Sequence, residues 1–198
     1  MNCAFSKMNY EIKKMGYKVV QDATGLDEIF GGYEYHHLLY LYKLKKLSSE
    51  KFNSELNLFC ENWNYKKIQA LKKISNLTNH IPKTIDSYNL INKLLYEKKF
   101  LNSYKYKSKQ ILNLKSSLSY FIQNSKIPRN NRLKDRISMA FGLELRLPFL
   151  EHELIEYGLS LKDDFYFLNG KSKSILRETM KGTLNNKVRT SKKFSIQS

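Results

Sequence analysis

Apolar residues recur at helical spacing over most of the chain. Phe5, Met8, Ile12 and Met15 mark one face of a helix over residues 4–15, and Gly16 stands where such a helix stops. Lys18-Val19-Val20 is a short β-type run leading into a turn-rich loop around Gly25. This is a helix–strand–loop unit, the half-step of an α/β fold. From Tyr33 to about Ser125 the pattern returns to helices, with Leu38, Leu39, Leu41 and Leu44 early and Leu112, Leu114, Leu118, Phe121 and Ile122 late. Breaks are expected at Ser48-Ser49, at Asn79-His80-Ile81-Pro82 and at Asn102-Ser103. Pro128 is expected to open a loop, Asp135 to Phe141 to be helical, and Pro148 to end an extended piece. Two further helices are expected at Glu151–Leu161 and Lys171–Met180, separated by an aromatic turn at Phe165-Tyr166-Phe167 and Gly170.

With 198 residues, 41% of them hydrophobic and 13% aromatic, the chain has enough apolar material for a packed core, which excludes a disordered tail. No stretch approaches the roughly 18 uncharged apolar residues of a membrane span. The N-terminal residues lack the basic and apolar runs of a secretory signal, so a cytoplasmic location is expected. Cys3 and Cys60 are the only cysteines, too few for a disulfide framework, and read as reduced structural thiols.

The formal charge is +17, and it is unevenly placed. Residues 1–40 sum to −1, residues 41–134 to +15 and residues 135–198 to +3. In the middle segment lysine alternates with aromatics, as in Tyr104-Lys105-Tyr106-Lys107. Such a stretch can form a groove for nucleic acid or another polyanion, lysines on phosphates and rings on bases. It can equally be the solvated face of long helices. The second reading is preferred because 29 of the basic residues are Lys and only 6 are Arg, whose planar fork base readers favour. Nucleic acid is therefore not the expected partner.

Two segments carry candidate chemistry. The first is the loop from Asp22 to Tyr33, which follows the strand where open α/β folds place ligands. Asp22, Asp27 and Glu28 offer oxygen ligands suited to Mg²⁺, although helix-capping acids in a solvated turn would look the same. The second is Asp135 to Leu150, where Glu144 and Arg146 alternate with Leu143, Leu145 and Leu147 and so share one face of an extended segment. Charges among so many apolar neighbours are expected to pair with each other or with a ligand. Lys173 and Arg177, at i and i+4, could both reach a phosphate or simply face water, and Arg189, Lys192 and Lys193 form a basic tail.

Taken together, Gly25-Leu26-Asp27-Glu28-Ile29-Phe30-Gly31-Gly32-Tyr33, the run Asp135-Arg136 through Ser138-Met139-Ala140 to Glu144-Leu145-Arg146-Leu147-Pro148-Phe149-Leu150, and Lys173-Ser174-Ile175-Leu176-Arg177 resemble the synthetase (ATP-pyrophosphatase) domain of the asparagine synthase family. The resemblance implies an α/β fold of the adenine-nucleotide alpha-hydrolase type. In this chain it would be incomplete and predominantly helical, with a short parallel-sheet remnant near residues 17–21. Residues 1–33 would hold the first site motif, 34–130 a basic helical region, and 131–198 the second motif and C-terminal helices.

The activity implied is ATP-dependent amide formation. A small carboxylate is adenylated with release of pyrophosphate, and ammonia or an amine then displaces AMP. ATP and Mg²⁺ are the implied cofactors. Asp27, with Gly25 and Lys173, would hold Mg²⁺-pyrophosphate, with Asp22 a second candidate metal ligand. Arg136 and Lys192 or Lys193 would offset phosphate charge, Lys192 being preferred. Glu144 would orient or deprotonate the amine. Two departures stand out. Thr24 occupies the place of a Glu that asparagine synthetases carry before the Asp-Glu pair, which points away from aspartate as the acceptor. The family's phosphate loop, Ser-Gly-Gly-x-Asp-Ser, does not occur in the 198 residues. A second polypeptide supplying that loop and a glutaminase is the implied partner.

Overall fold

The computed structural model describes residues 2–77 and 113–192. Helix α1 (Asn2–Lys14) is followed by Gly16, whose φ of 84° turns the chain out of the helix, and by strand β1 (Val19–Gln21). A one-turn helix α2 (Leu26–Ile29) lies inside the loop after β1. Next come α3 (Glu34–Leu47), α4 (Ser49–Trp63) and α5 (Lys67–Ser75). Ser48 ends α3 with extended backbone, and its hydroxyl accepts from the Lys51 N–H to cap α4, which makes the expected break. The other two expected breaks, and Tyr104 to Lys107, lie outside the described residues.

The chain continues with α6 (Leu114–Gln123), capped by the Asn113 side chain, and α7 (Lys126–Ala140). Here the sequence expectation is corrected, because Pro128 opens no loop and helix α7 begins nine residues before Asp135. Pro128 sits in the first turn, where a helix requires no N–H donor. Strand β2 (Glu144–Arg146) lies parallel to β1, with Val19 opposite Glu144, Val20 opposite Leu145 and Gln21 opposite Arg146. Every helix from α2 to α7 belongs to the connection between these two strands.

A 3₁₀ turn at Pro148–Leu150 leads to α8 (His152–Ser160), close to the expected helix. The next expectation is only half met. Lys171 and Ser172 are strand β4, antiparallel to β3 (Phe167–Leu168), and the helix starts later, as α9 (Ser174–Thr179). The hairpin turns at Asn169-Gly170, whose φ angles of 53° and 67° are the pair that a type I′ turn requires. Lys173 precedes α9 in left-handed backbone, so it does not share a helix face with Arg177. The Arg177 guanidinium instead donates to the carbonyls of Ser172, Arg189 and Ser191, tying the short α10 (Asn186–Thr190) to the hairpin.

The core lies among α3 to α6 and the hairpin. Helix α3 is buried nearly all round, from His36 through Leu41 to Leu44, as expected of a central helix. Phe52, Leu56 and Phe59 of α4, Ala70 and Ile74 of α5, Leu114 and Leu118 of α6, and Tyr166 and Phe167 close around it. The described residues are thus mostly helical with one short parallel strand pair. Among them no helix is long and apolar enough to cross a membrane.

Candidate functional site

The parallel pairing brings the carboxyl ends of β1 and β2 side by side, and the Asp22 N–H extends the ladder to the Arg146 carbonyl at 3.0 Å. The loop after β1 then turns on its own side chains. The Asp22 carboxylate accepts from the Thr24 N–H at 2.7 Å, from the Thr24 hydroxyl, and from Lys134 Nζ at 2.8 and 2.9 Å. Lys134 also reaches Thr24 Oγ1 at 2.8 Å and stands over the Phe5 ring. Burial alone would raise the Asp22 carboxyl, but the hydrogen bonds from Lys134 and Thr24 outweigh it and hold it below its ordinary value.

Gly25, with φ of 108°, stands at the start of α2 with Leu150 pressed against it. Asp27 and Glu28 follow in that single turn and have different surroundings. Glu28 is buried and accepts from the Tyr33 hydroxyl. Desolvation and the Glu28 charge raise the Tyr33 phenol, so it stays a donor. Lys126 lies 3.9 Å from the centre of the Tyr33 ring. Asp27 is three-quarters buried and pairs with Lys173, Oδ1 to Nζ at 2.9 Å.

The backbone closes tightly beneath Asp27. The Gly32 N–H donates to the Asp27 carbonyl at 2.8 Å, and a Cβ at Gly32 would lie 1.9 Å from Asp27 Oδ1 and 2.8 Å from Asp27 Cα. Gly32→Ala must therefore push the carboxylate or the turn aside. It is expected to lower stability by about 1–3 kcal/mol, the usual cost of overpacking, read as a shift of the urea midpoint.

The remaining sequence candidates are placed as follows. Glu144 and Arg146 pair through Oε1 and Nε at 2.7 Å. Both are more than half exposed, so the expected pairing holds but the reason given for it, burial among leucines, does not. Arg136 is on the exposed side of α7. Lys192 Nζ donates to the Glu61 carbonyl near the end of α4 at 3.0 Å. Lys193 lies outside the described residues.

The sequence reading missed Lys134 and the Glu28–Tyr33–Lys126 support. Lys134 was missed because α7 was expected to begin one residue after it. As a metal site, the loop offers no group of three or more His, Cys, Asp or Glu among the described residues. Both Asp22 oxygens are engaged by Lys134. One carboxylate, Asp27, already facing a cation, fits Mg²⁺ of the kind that is held by few protein oxygens and mostly by phosphates and water.

Comparison with known proteins matches residues 2–198 to the family model described as Asparagine synthase. Asparagine synthetase [glutamine-hydrolyzing] 3 of Bacillus subtilis (strain 168) is 37% identical over 60 residues, 30% of this chain and 10% of that protein. The asparagine synthetases [glutamine-hydrolyzing] of Mus musculus and Bos taurus are each 52% identical over 46 residues, 23% of this chain and 8% of theirs. The matched segments thus cover a small part of these relatives' length. No solved structure gives a significant match.

Proposed function

Because this chain belongs to the asparagine synthase family, we propose that it forms the pyrophosphate and acceptor side of an ATP-dependent, amide-forming synthetase. The observation that carries this reading is the Asp27–Lys173 pair at 2.9 Å, held over the Gly31-Gly32 turn at the carboxyl edge of the parallel strands. An acid and an amine that neutralise each other at a strand's carboxyl edge are suited to a ligand that needs both, a phosphate group with its cation.

In the reaction so proposed, a carboxylate oxygen attacks the α-phosphorus of ATP and pyrophosphate leaves with the electrons of the broken P–O bond. An amine then attacks the acyl carbon, AMP leaves, and the amine's proton passes to Glu144 or to water. Asp27 would hold Mg²⁺, which when bound would shield the charge of the leaving pyrophosphate. Lys173 turns from Asp27 to a phosphate oxygen, while Arg136 and Lys192 or Lys193 add fixed positive charge where phosphate charge develops. Gly25 turns the loop in left-handed backbone, with Leu150 in the space a side chain would take, so it would serve the pyrophosphate site through its backbone. Thr24 is bound to Asp22 and Lys134 and stands where the family's asparagine synthetases carry a Glu, which favours a carboxylate other than aspartate. The phosphate loop comes from sequence outside these 198 residues, and the setting is the cytoplasm.

The test is a product analysis. Supplied with a segment bearing Ser-Gly-Gly-x-Asp-Ser, the protein is expected to convert ATP to AMP and pyrophosphate in equal amounts, and only when a carboxylate is present. Formation of ADP and phosphate would overturn the proposal.

A further inference from the structure

A cleft of about 540 Å³, lined by no residue of the β1 loop, lies between the end of α3, the start of α4 and the 3₁₀ turn at Asp163–Phe165. Four lysines line it, Lys43, Lys51, Lys115 and Lys162, against two carboxylates, Asp163 and Asp164. The excess is therefore two positive charges in one concavity. Lys43 pairs with Asp163 at 2.7 Å and Lys51 with Asp164 at 2.8 Å, and the Tyr40 hydroxyl donates to Asp164 at 2.7 Å. Lys115 donates to the Leu159 carbonyl. Burial lowers the Lys115 ammonium below its usual range, Asp163 opposes that, and the neighbouring Lys43 adds to it.

The Lys51–Asp164 pair is about half exposed on both sides and so is weakly held, whereas Asp163 opposite Lys43 is only 13% exposed. A dianion entering the cleft can take Lys51 from Asp164 and meets the ammonium groups of Lys115 and Lys162 as well. The first turn of α4, capped by Ser48 and bearing Lys51, borders the same space and adds N-terminal dipole charge. Leu44, Leu161 and the 68% exposed Leu47 form the apolar part of the wall, beside Tyr40, Ser48 and Ser160. A bare inorganic ion would leave that wall in water.

We propose that this cleft binds an organic phosphate, its phosphate among Lys43, Lys51, Lys115 and Lys162 and its carbon skeleton against Leu44, Leu47 and Leu161. The volume suits a ligand of nucleotide size. The site is separate from the Asp27 loop and stands whether or not the proposed reaction is correct.

Calorimetric titration of the full chain with AMP, phenyl phosphate and inorganic phosphate, in chelator so that no divalent metal contributes, tests it. AMP and phenyl phosphate are expected to saturate the site with an affinity that falls as salt rises. AMP binding more tightly identifies a nucleotide as the source, and equal affinities identify a phosphate on any ring. Lys162→Met and the double variant Lys115→Met/Lys162→Met are expected to weaken binding about tenfold or more, and Asp27→Ala to leave it within about twofold. A thermal melt confirms that each variant is folded, and Lys162→Met stands alone as the readout if loss of the Lys115 bond unfolds the double variant. No saturable binding would overturn the proposal. So would inorganic phosphate binding as tightly as the organic phosphates, retained affinity in the lysine variants, or loss of binding in Asp27→Ala.

Discussion

Asp27→Ala is expected to reduce pyrophosphate release by about 100-fold or more, the effect of removing one preorganised group from a site where charge develops. The fold explains why no neighbour replaces it. Asp22 is held by Lys134 and Thr24, Glu28 is buried against Tyr33, and Gly32 leaves no room for another side chain under the carboxylate. The same substitution leaves Lys173 without its partner in a position that is three-quarters buried, so its ammonium also loses its fixed orientation. The loss is therefore expected in kcat and in the Mg²⁺ dependence together. Glu144→Gln is expected to slow amide formation and leave carboxylate-dependent ATP–pyrophosphate exchange in place, because the adenylation half-reaction does not use the amine. Exchange at unchanged rate in Asp27→Ala would show that the loop does not hold pyrophosphate.

Stability is expected to fall by about 3 kcal/mol between pH 7 and pH 4 through one side chain in the core, His37. Its imidazole is stacked on Phe167 with ring centres 4.4 Å apart and met edge-on by Phe59 at 4.9 Å. Nδ1 accepts from the Trp63 Nε1–H at 3.2 Å, which fixes the neutral tautomer with its proton on Nε2, and Nε2 has no hydrogen-bond partner among the described residues. Burial lowers the imidazole from 6.5 to about 3. The folded state therefore refuses a proton that the unfolded chain accepts below its value of 6.5. Stability is complete above that value and declines by about 1.4 kcal/mol per pH unit as pH falls toward the folded value. Urea unfolding at pH 7 and pH 4 measures it. His37→Phe is expected to lower stability at pH 7, because the Trp63 N–H loses its acceptor, and to remove about 3 kcal/mol of the pH dependence. An identical pH dependence in the variant would mean that His37 titrates normally.

The sequence displayed the elements whose cause is local. Ser48 caps the helix that follows it, Gly16 ends the first helix, and the alternation from Leu143 to Leu147 makes a strand with Leu143 fully buried. Where the outcome depends on position within an element, the reading failed. Pro128 resembles a breaker, but in a first turn its missing N–H costs nothing. Lys171 to Lys173 has the spacing of a helix start, yet the Asn169-Gly170 turn folds Lys171 and Ser172 back on Phe167 and Leu168. The candidate site was legible as motifs and not as contacts. Asp27 and Lys173 stand 146 residues apart, and Asp22 and Lys134 stand 112 apart. No local pattern carries such pairings. The leucines around Glu144 and Arg146 suggested buried charge, but the pleat turns the leucines inward and leaves both charges in solvent.

The lysine excess also has another meaning in the fold than along the chain. Lys43, Lys51 and Lys73 pair with acids, and Lys46, Lys73 and Lys126 stand over tyrosine rings. Among the described residues these lysines are thus engaged in internal contacts, while Tyr104 to Lys107, where lysine and tyrosine alternate, lie outside them.

The central claim is that Asp27 and Lys173 receive pyrophosphate with its Mg²⁺, and phosphorus NMR of pyrophosphate titrated with the chain measures it most directly. A saturable, Mg²⁺-dependent shift of the pyrophosphate resonance is predicted, lost in Asp27→Ala and weakened about tenfold or more in Lys173→Met. A resonance that does not move, or that moves equally with either variant, would contradict it.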